Sequence, residues 1–327
     1  MAENKFRSVF KDELNIYMEH RKSCGIKESG AISNLRKLDA FMAENCTEKS
    51  FTREHADKWK ETMDGESPQG HYRRVNDSKL FFQFLFPQGY EVFLFDDVKN
   101  PPNLFVAHYY TDDEVERYFS AVDNYHSSHN RLHCIQLPVL FRILYCCGTR
   151  IGETLGIRKK DIDLESGIIR LTETKNRKER YVIMGGELLA LARRFADRTF
   201  YQIADDGYVF RNANGGGLKY DTIRHIHRDI LAMAGIPFVG DSHGPRIHDW
   251  RHSFAIRSFK HMSDNGIDMY VALPILSAYL GHKTINATER YVRLTIQLFP
   301  YIEEKFLPVL EKVFDGISKE GDLDEDY

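Results

Sequence analysis

The chain has 327 residues, of which 28% are charged, 42% hydrophobic and 13% aromatic. That is enough for two domains at roughly 100 to 200 residues each and too apolar for a disordered, collagen-like or low-complexity protein. The net charge of -3 is unevenly spread, because Ser318 to Tyr327 holds one Lys and five Asp or Glu, net -4, leaving +1 for the rest, so a polyanionic partner is not excluded.

The first hundred residues read as four helices. Phe6, Phe10, Leu14, Ile16 and Tyr17 recur at helical spacing, and Ile32, Leu35, Leu38, Phe41 and Met42 do so again beyond Gly25 and Gly30. A third helix is expected over Thr52 to Met63 and a fourth over Gln69 to Phe86. Basic side chains gather on two of them, Arg36 and Lys37 on the second and Arg73, Arg74 and Lys79 on the fourth. The stretch from Asp96 to Ala107, with Pro101-Pro102, cannot continue a helix and serves as a linker.

Beyond it, Thr111 to Glu114 has the form of a capping box, and a long apolar helix ends near Gly148. The strongest apolar run, Leu137 to Cys147, is broken by Arg142 and falls short of the roughly 18 to 20 residues of a membrane helix. The start of the chain lacks a secretory pattern. A cytoplasmic protein is therefore expected, acting on nucleoid DNA if it binds nucleic acid. The period then shifts to two β-rich runs, Ile168 to Leu171 and Tyr181 to Ile183, joined by the polar turn Lys175-Asn176-Arg177-Lys178. Helices return over Leu188 to Phe200 and Thr222 to Ala234, with Gly215-Gly216-Gly217 between them. The five cysteines include no C-x-x-C pair, so reduced thiols are expected rather than a disulfide framework or a zinc ribbon.

The chemistry-bearing residues come in a definite order. Arg150 lies in Gly148-Thr149-Arg150-Ile151-Gly152-Glu153, where one helical turn brings Glu153 to the guanidinium. Next come Arg246-Ile247-His248-Asp249-Trp250-Arg251-His252, then Leu280-Gly281-His282, then Tyr291.

This succession resembles the tyrosine recombinase and integrase family of site-specific DNA recombinases, over about residues 111 to 296. The resemblance assigns the family's first arginine to Arg150, supported by Glu153, and its hairpin lysine to Lys175, with Lys178 as competitor. Its His-x-x-Arg falls on His248 and Arg251, its later histidine on His282, and its nucleophile on Tyr291, with Tyr279 and Tyr301 as nearby decoys. It implies a mainly α protein with a small antiparallel β-sheet, built as a two-domain DNA clamp. Residues 1–104 would be the helical core-binding domain, 105–317 the mixed α/β catalytic domain, and 318–327 an acidic tail. Trp250 departs from the family, which more often has Leu there.

Such a protein would bind double-stranded recombination sites as a dimer and exchange strands as a tetramer, with no cofactor. A partner recombinase or directionality factor is a further possibility. The resemblance also points the helix before His248 at the DNA major groove, which makes Lys219, Arg224 and Arg228 candidate contacts beside Arg36, Lys37, Arg73, Arg74 and Lys79. His225 and His227, two apart on one helix, face different sides and are read as incidental or DNA-facing. The chemistry fits the residue types: planar guanidiniums grip a phosphodiester as charge builds on its oxygens, and a tyrosine attacks once a base or cations favour the phenolate.

Two other readings stay open at this level. His248 and His252 have the i, i+4 spacing of a zinc-protease helix, with Asp249 in place of its Glu, but that leaves Arg150, Lys175 and Tyr291 unexplained. A catalytically inactive DNA-binding accessory protein would keep the fold and drop the chemistry. The apolar pattern after Tyr291, from Phe299 to Phe314, is expected to dock as a helix in cis or on a neighbouring copy.

Overall fold

A computed structural model describes residues 6–26, 30–96, 98–101, 107–127, 130–172, 179–240, 244–282, 284 and 286–300. Lys175, Lys178, Tyr301, the apolar segment beyond Phe299-Pro300 and the acidic tail lie outside the described residues. The chain divides into two compact units, Met1–Leu104 and Phe105–Tyr327. Each has its own apolar core.

In the first unit, helices α1 (Lys11–Ser23), α2 (Ala31–Asn45), α3 (Arg53–Trp59) and α4 (Pro68–Leu85) enclose Phe10, Leu35, Trp59, Phe81 and Phe82. Two-residue strands β1 (Ser50–Phe51) and β2 (Glu91–Val92) pair in parallel, too short to leave a pattern in the sequence. The third helix stops at Trp59 rather than Met63, and Arg74 is part of the reason. Its side chain is fully buried, donates to the carbonyls of Trp59 and Glu61 at 2.5 and 2.9 Å, and pairs with both oxygens of Glu66 at 2.7 and 2.8 Å. It thus satisfies orphan carbonyls past the helix end. Arg74 is therefore a core residue and no DNA contact, which corrects the surface reading; Arg36, Lys37 and Arg73 are exposed and Lys79 half-buried.

The second unit is mainly helical with one small sheet. Helices α5 (Asp112–Asp123), α6 (His133–Cys147) and α7 (Ile151–Gly156) precede three antiparallel strands, β3 (Ile162–Asp163), β4 (Ile168–Leu171) and β5 (Arg180–Ile183), in the order β3-β4-β5. Then come α8 (Gly186–Thr199), α9 (Tyr220–Met233), α10 (Asp249–Asp264), α11 (Met269–Leu280) and α12 (Asn286–Leu298). Thr111 and Glu114 close the expected capping box on α5. Trp250 is fully buried and stacks on Tyr110 with ring centres 3.7 Å apart and planes 3° from parallel, with Tyr118, Phe119 and Tyr145 around it. The larger side chain at this position thereby anchors the start of α10 in the core.

His227 also belongs to this core and does not face DNA; it is 2% exposed, with Nδ1 2.6 Å from the Tyr118 hydroxyl. Burial above all, with Arg228 nearby, holds its pKa down at about 3. Because the folded-state value is depressed, the neutral ring contributes stability that is fully present above the unfolded-state pKa of about 6.5 and is lost as pH falls toward the folded value. From pH ~7.5 to ~5 this amounts to about 2 kcal/mol. Urea titrations across that range should show the loss, and in His227→Gln, which keeps an acceptor for Tyr118, the slope should flatten by that amount.

Candidate active site

Arg150 sits at the turn between α6 and α7. Its backbone is extended (φ -75°, ψ 145°), and Glu153 reaches back to it, accepting from the Arg150 backbone N–H at 2.9 Å and from Nη1 at 3.0 Å. The expected pairing of Arg150 with Glu153 is therefore present, but as a buried helix start rather than a surface ion pair, with the two residues 9% and 4% exposed.

Arg251 lies in the first turn of α10 and is 1% exposed. It donates from Nη1 to the Gly148 carbonyl at 2.8 Å and from Nη2 to the Leu280 carbonyl at 2.6 Å. One guanidinium thus ties the turn before Arg150 to the turn before His282. Gly148 ends α6 in the left-handed region (φ 59°), and a Cβ there would run into the Phe254 ring. Gly148→Ala is therefore expected to cost about 2 to 4 kcal/mol from left-handed strain and overpacking. The check is a lowered urea midpoint at unchanged slope.

His248 stands half-buried at the N-terminal boundary of α10. Burial first, then the charges of Arg251, Arg246 and Arg150, push its pKa well below the ordinary imidazole range. It is thus neutral at physiological pH, with one ring nitrogen an acceptor. His252, one turn on, packs between His248 and Tyr291, with ring centres 5.0 Å from each. Asp249 is fully buried and turned back on the Arg246 backbone N–H at 2.8 Å. No group of three or more His, Cys, Asp or Glu among the described residues could hold a metal, so the zinc-helix spacing has no third ligand there.

Tyr291 is on α12, 3% exposed, with its ring parallel to that of His282 at 5.6 Å and 5°. His282 follows the left-handed Gly281, and its Nδ1 lies 2.8 Å from the Thr288 hydroxyl. That contact sets the orientation of the imidazole across the Tyr291 face. The decoy Tyr279 is half-buried against Phe254, and burial pushes its hydroxyl up to about 12. Five of the six predicted site residues, Arg150, His248, Arg251, His282 and Tyr291, therefore come together from separate parts of the chain.

One residue of this cluster was not anticipated. Arg180, the first residue of β5, donates from Nη1 and Nη2 to the two Glu153 oxygens at 2.6 and 2.7 Å. Burial alone would raise the Glu153 pKa, but the Arg180 hydrogen bonds and the charges of Arg180, Arg150 and Arg251 bring it below the ordinary value. Three guanidiniums thus surround one carboxylate, which leaves the site cationic and suited to an anion. The available signal was strand alternation, since Arg180 shares the inward face of β5 with buried Val182.

The candidate DNA contacts of this unit are more scattered. Lys219 is exposed, whereas Arg224 and Arg228 are half-buried on α9, Arg224 lying 3.6 Å from Asp221 and Arg228 over the Phe238 ring.

The model of the phage integrase family matches residues 108–297. This stretch covers more than half of the chain and all of the site, so the chain belongs to the phage integrase family, whose tyrosine recombinases cleave and rejoin DNA. A Sinorhizobium fredii protein named as an integrase/recombinase, y4rB, is 27% identical over 304 residues, 87% of this chain and 93% of its own length. Tyrosine recombinase XerC of Staphylococcus epidermidis is 25% identical over 229 residues, 69% and 71% of the two chains. Among solved structures, the XerH recombinase bound to a palindromic difH substrate has a TM-score of 0.64 at 19% identity, covering 96% of this chain and 85% of that one. The Tn1549 transposon integrase with circular intermediate DNA has 0.58 at 16%, covering 85% and 94%. These two share the fold.

Proposed function

We propose that this chain is a site-specific recombinase in which Tyr291 is the nucleophile. The Tyr291 oxygen attacks a DNA phosphorus, its proton passes to neutral His248, and the bond to the 5′-oxygen breaks as Lys175 supplies that oxygen with a proton. The product is a 3′-phosphotyrosyl link, and the same steps in reverse join a new 5′-hydroxyl. Arg150 and Arg251 stabilise the charge that grows on the non-bridging oxygens, and His282 donates a hydrogen bond to the phosphate. The link conserves the phosphodiester's energy, so neither ATP nor a metal is required. The observation that carries this reading is the gathering of Arg150, Arg251, His248 and His282 around Tyr291.

By analogy with the relatives' names, the biological role is integration or excision of a mobile element. Residues 1–104 act as a DNA-binding domain clamped with the catalytic domain on the duplex, with Arg36, Lys37, Arg73, Lys79, Lys219, Arg224 and Arg228 contacting DNA. Two protomers occupy a site and four form the synapse, with a partner recombinase or directionality factor where the reaction needs direction. The protein acts on nucleoid DNA in the cytoplasm, and no helix among the described residues is long and apolar enough to cross a membrane.

The test is covalent trapping. A nicked suicide duplex from the protein's own genomic neighbourhood, with chelator present, should give a denaturant-resistant adduct whose DNA-bearing peptide contains Tyr291. Tight, specific binding without an adduct would instead assign an accessory DNA-binding role.

A further inference from the structure

Arg180 has no place in the reaction as described, yet it touches two parts of the site. Both ends of its guanidinium lie on Glu153 at 2.6 and 2.7 Å, and its side chain is 11% exposed. Its stem passes Gly281 so closely that a Cβ there would lie 3.1 Å from Arg180 Cδ. Gly281 in turn precedes His282, and the Leu280 carbonyl just before it takes Arg251 Nη2 at 2.6 Å. With both terminal nitrogens on one carboxylate, Arg180 acts on the site through Glu153 and is a positioning residue.

We infer that Arg180, by occupying both oxygens of Glu153, keeps this buried carboxylate from neutralising Arg150 and so preserves the cationic grip on the scissile phosphate. Each Glu153 oxygen accepts from both arginines: Oε1 from Arg150 Nη1 and Arg180 Nη1, Oε2 from the Arg150 backbone N–H and Arg180 Nη2. Without Arg180, the full carboxylate charge falls on Arg150, and the site meets the phosphodiester with one positive charge fewer. Burial then also raises the proton affinity of Glu153, because its strongest counter-ion is gone. Arg180 also links β5, the strand that follows the Lys175 segment, to the turns carrying Arg150 and His282. This role rests on the recombinase reading.

The experiment measures single-turnover cleavage of the suicide duplex by the full chain. Wild type serves as control: with no adduct there, the recombinase reading itself falls, and this inference with it. Given wild-type cleavage, Arg180→Gln should slow the rate at saturating DNA by roughly 10- to 100-fold, the usual effect of losing an orienting partner. The half-saturating DNA concentration should stay within about threefold, since the direct phosphate ligands remain. Relative to wild type, the variant should gain rate as pH is lowered from ~8 to ~6, because protonating Glu153 releases Arg150. The double variant Glu153→Gln/Arg180→Gln should be faster than Arg180→Gln alone, a neutral amide needing no second cation. Arg180→Lys should recover part of the rate, since an ammonium cannot bind both oxygens in a fork.

Wild-type cleavage by Arg180→Gln, or a loss lying wholly in half-saturation with no gain in the double variant, would overturn the assignment. If Arg180→Gln does not fold, Arg180→Lys decides: reduced cleavage by a folded protein supports it, and full-rate cleavage rejects it.

Discussion

Tyr291→Phe should form no covalent adduct, with the cleavage rate down by roughly 10⁴-fold or more, as for other enzymes stripped of their nucleophile. Only the hydroxyl is lost. The ring remains within the cluster of Ala255, Phe259, Leu273, Leu280 and Val292 and keeps its parallel contact with His282. Unfolding midpoint and DNA affinity should therefore match wild type, and denaturing gels of suicide-substrate reactions beside a binding titration check both. An adduct that persists in the Phe variant would move the nucleophile elsewhere. Tyr279 is a poor substitute, because burial holds its hydroxyl in the protonated form.

Arg251→Gln has the next largest expected effect, and it falls on chemistry and stability together. Loss of one charged donor at a developing oxyanion should slow cleavage by roughly 10²- to 10³-fold. The same change leaves the buried Gly148 and Leu280 carbonyls without their donor, at about 1 to 3 kcal/mol for each unsatisfied group. Arg251→Lys separates the two effects only in part, since one ammonium cannot bridge two carbonyls as a planar fork does. Single-turnover rates set beside urea midpoints distinguish the roles. A Lys variant with wild-type cleavage would mean that Arg251 acts only as a strut.

The order of the site residues was legible because it depends on short-range pattern. Arg150 with Glu153 three residues on, His248 with Arg251 one turn away, and the Leu280-Gly281-His282 turn are all local spacings. The same holds for the helices of the first unit, for α5, α6, α8 and α9, and for the β4-β5 hairpin, whose periods of 3.6 and 2 follow from neighbouring residues alone. Thr111 at the cap of α5 was foreseeable for that reason.

The pairings across large separations were settled only by the tertiary structure. Arg74, grouped with the surface cations of its helix, proves to be a buried counter-ion of Glu66 and a cap on the carbonyls of Trp59 and Glu61. His227 proves to be a core partner of Tyr118, 109 residues away. Arg251 joins carbonyls 103 and 29 residues distant, and Arg180 meets Glu153 across 27. A charged side chain looks the same in sequence whether it faces water or a buried carboxylate, because its partner is chosen by how the elements pack. By itself the sequence determined the residue types, their order and their local geometry, since these rest on backbone periodicity and nearest neighbours. Which cations grip the site and which brace it was decided by packing, because desolvation forces each buried charge onto the partner that the fold brings within reach.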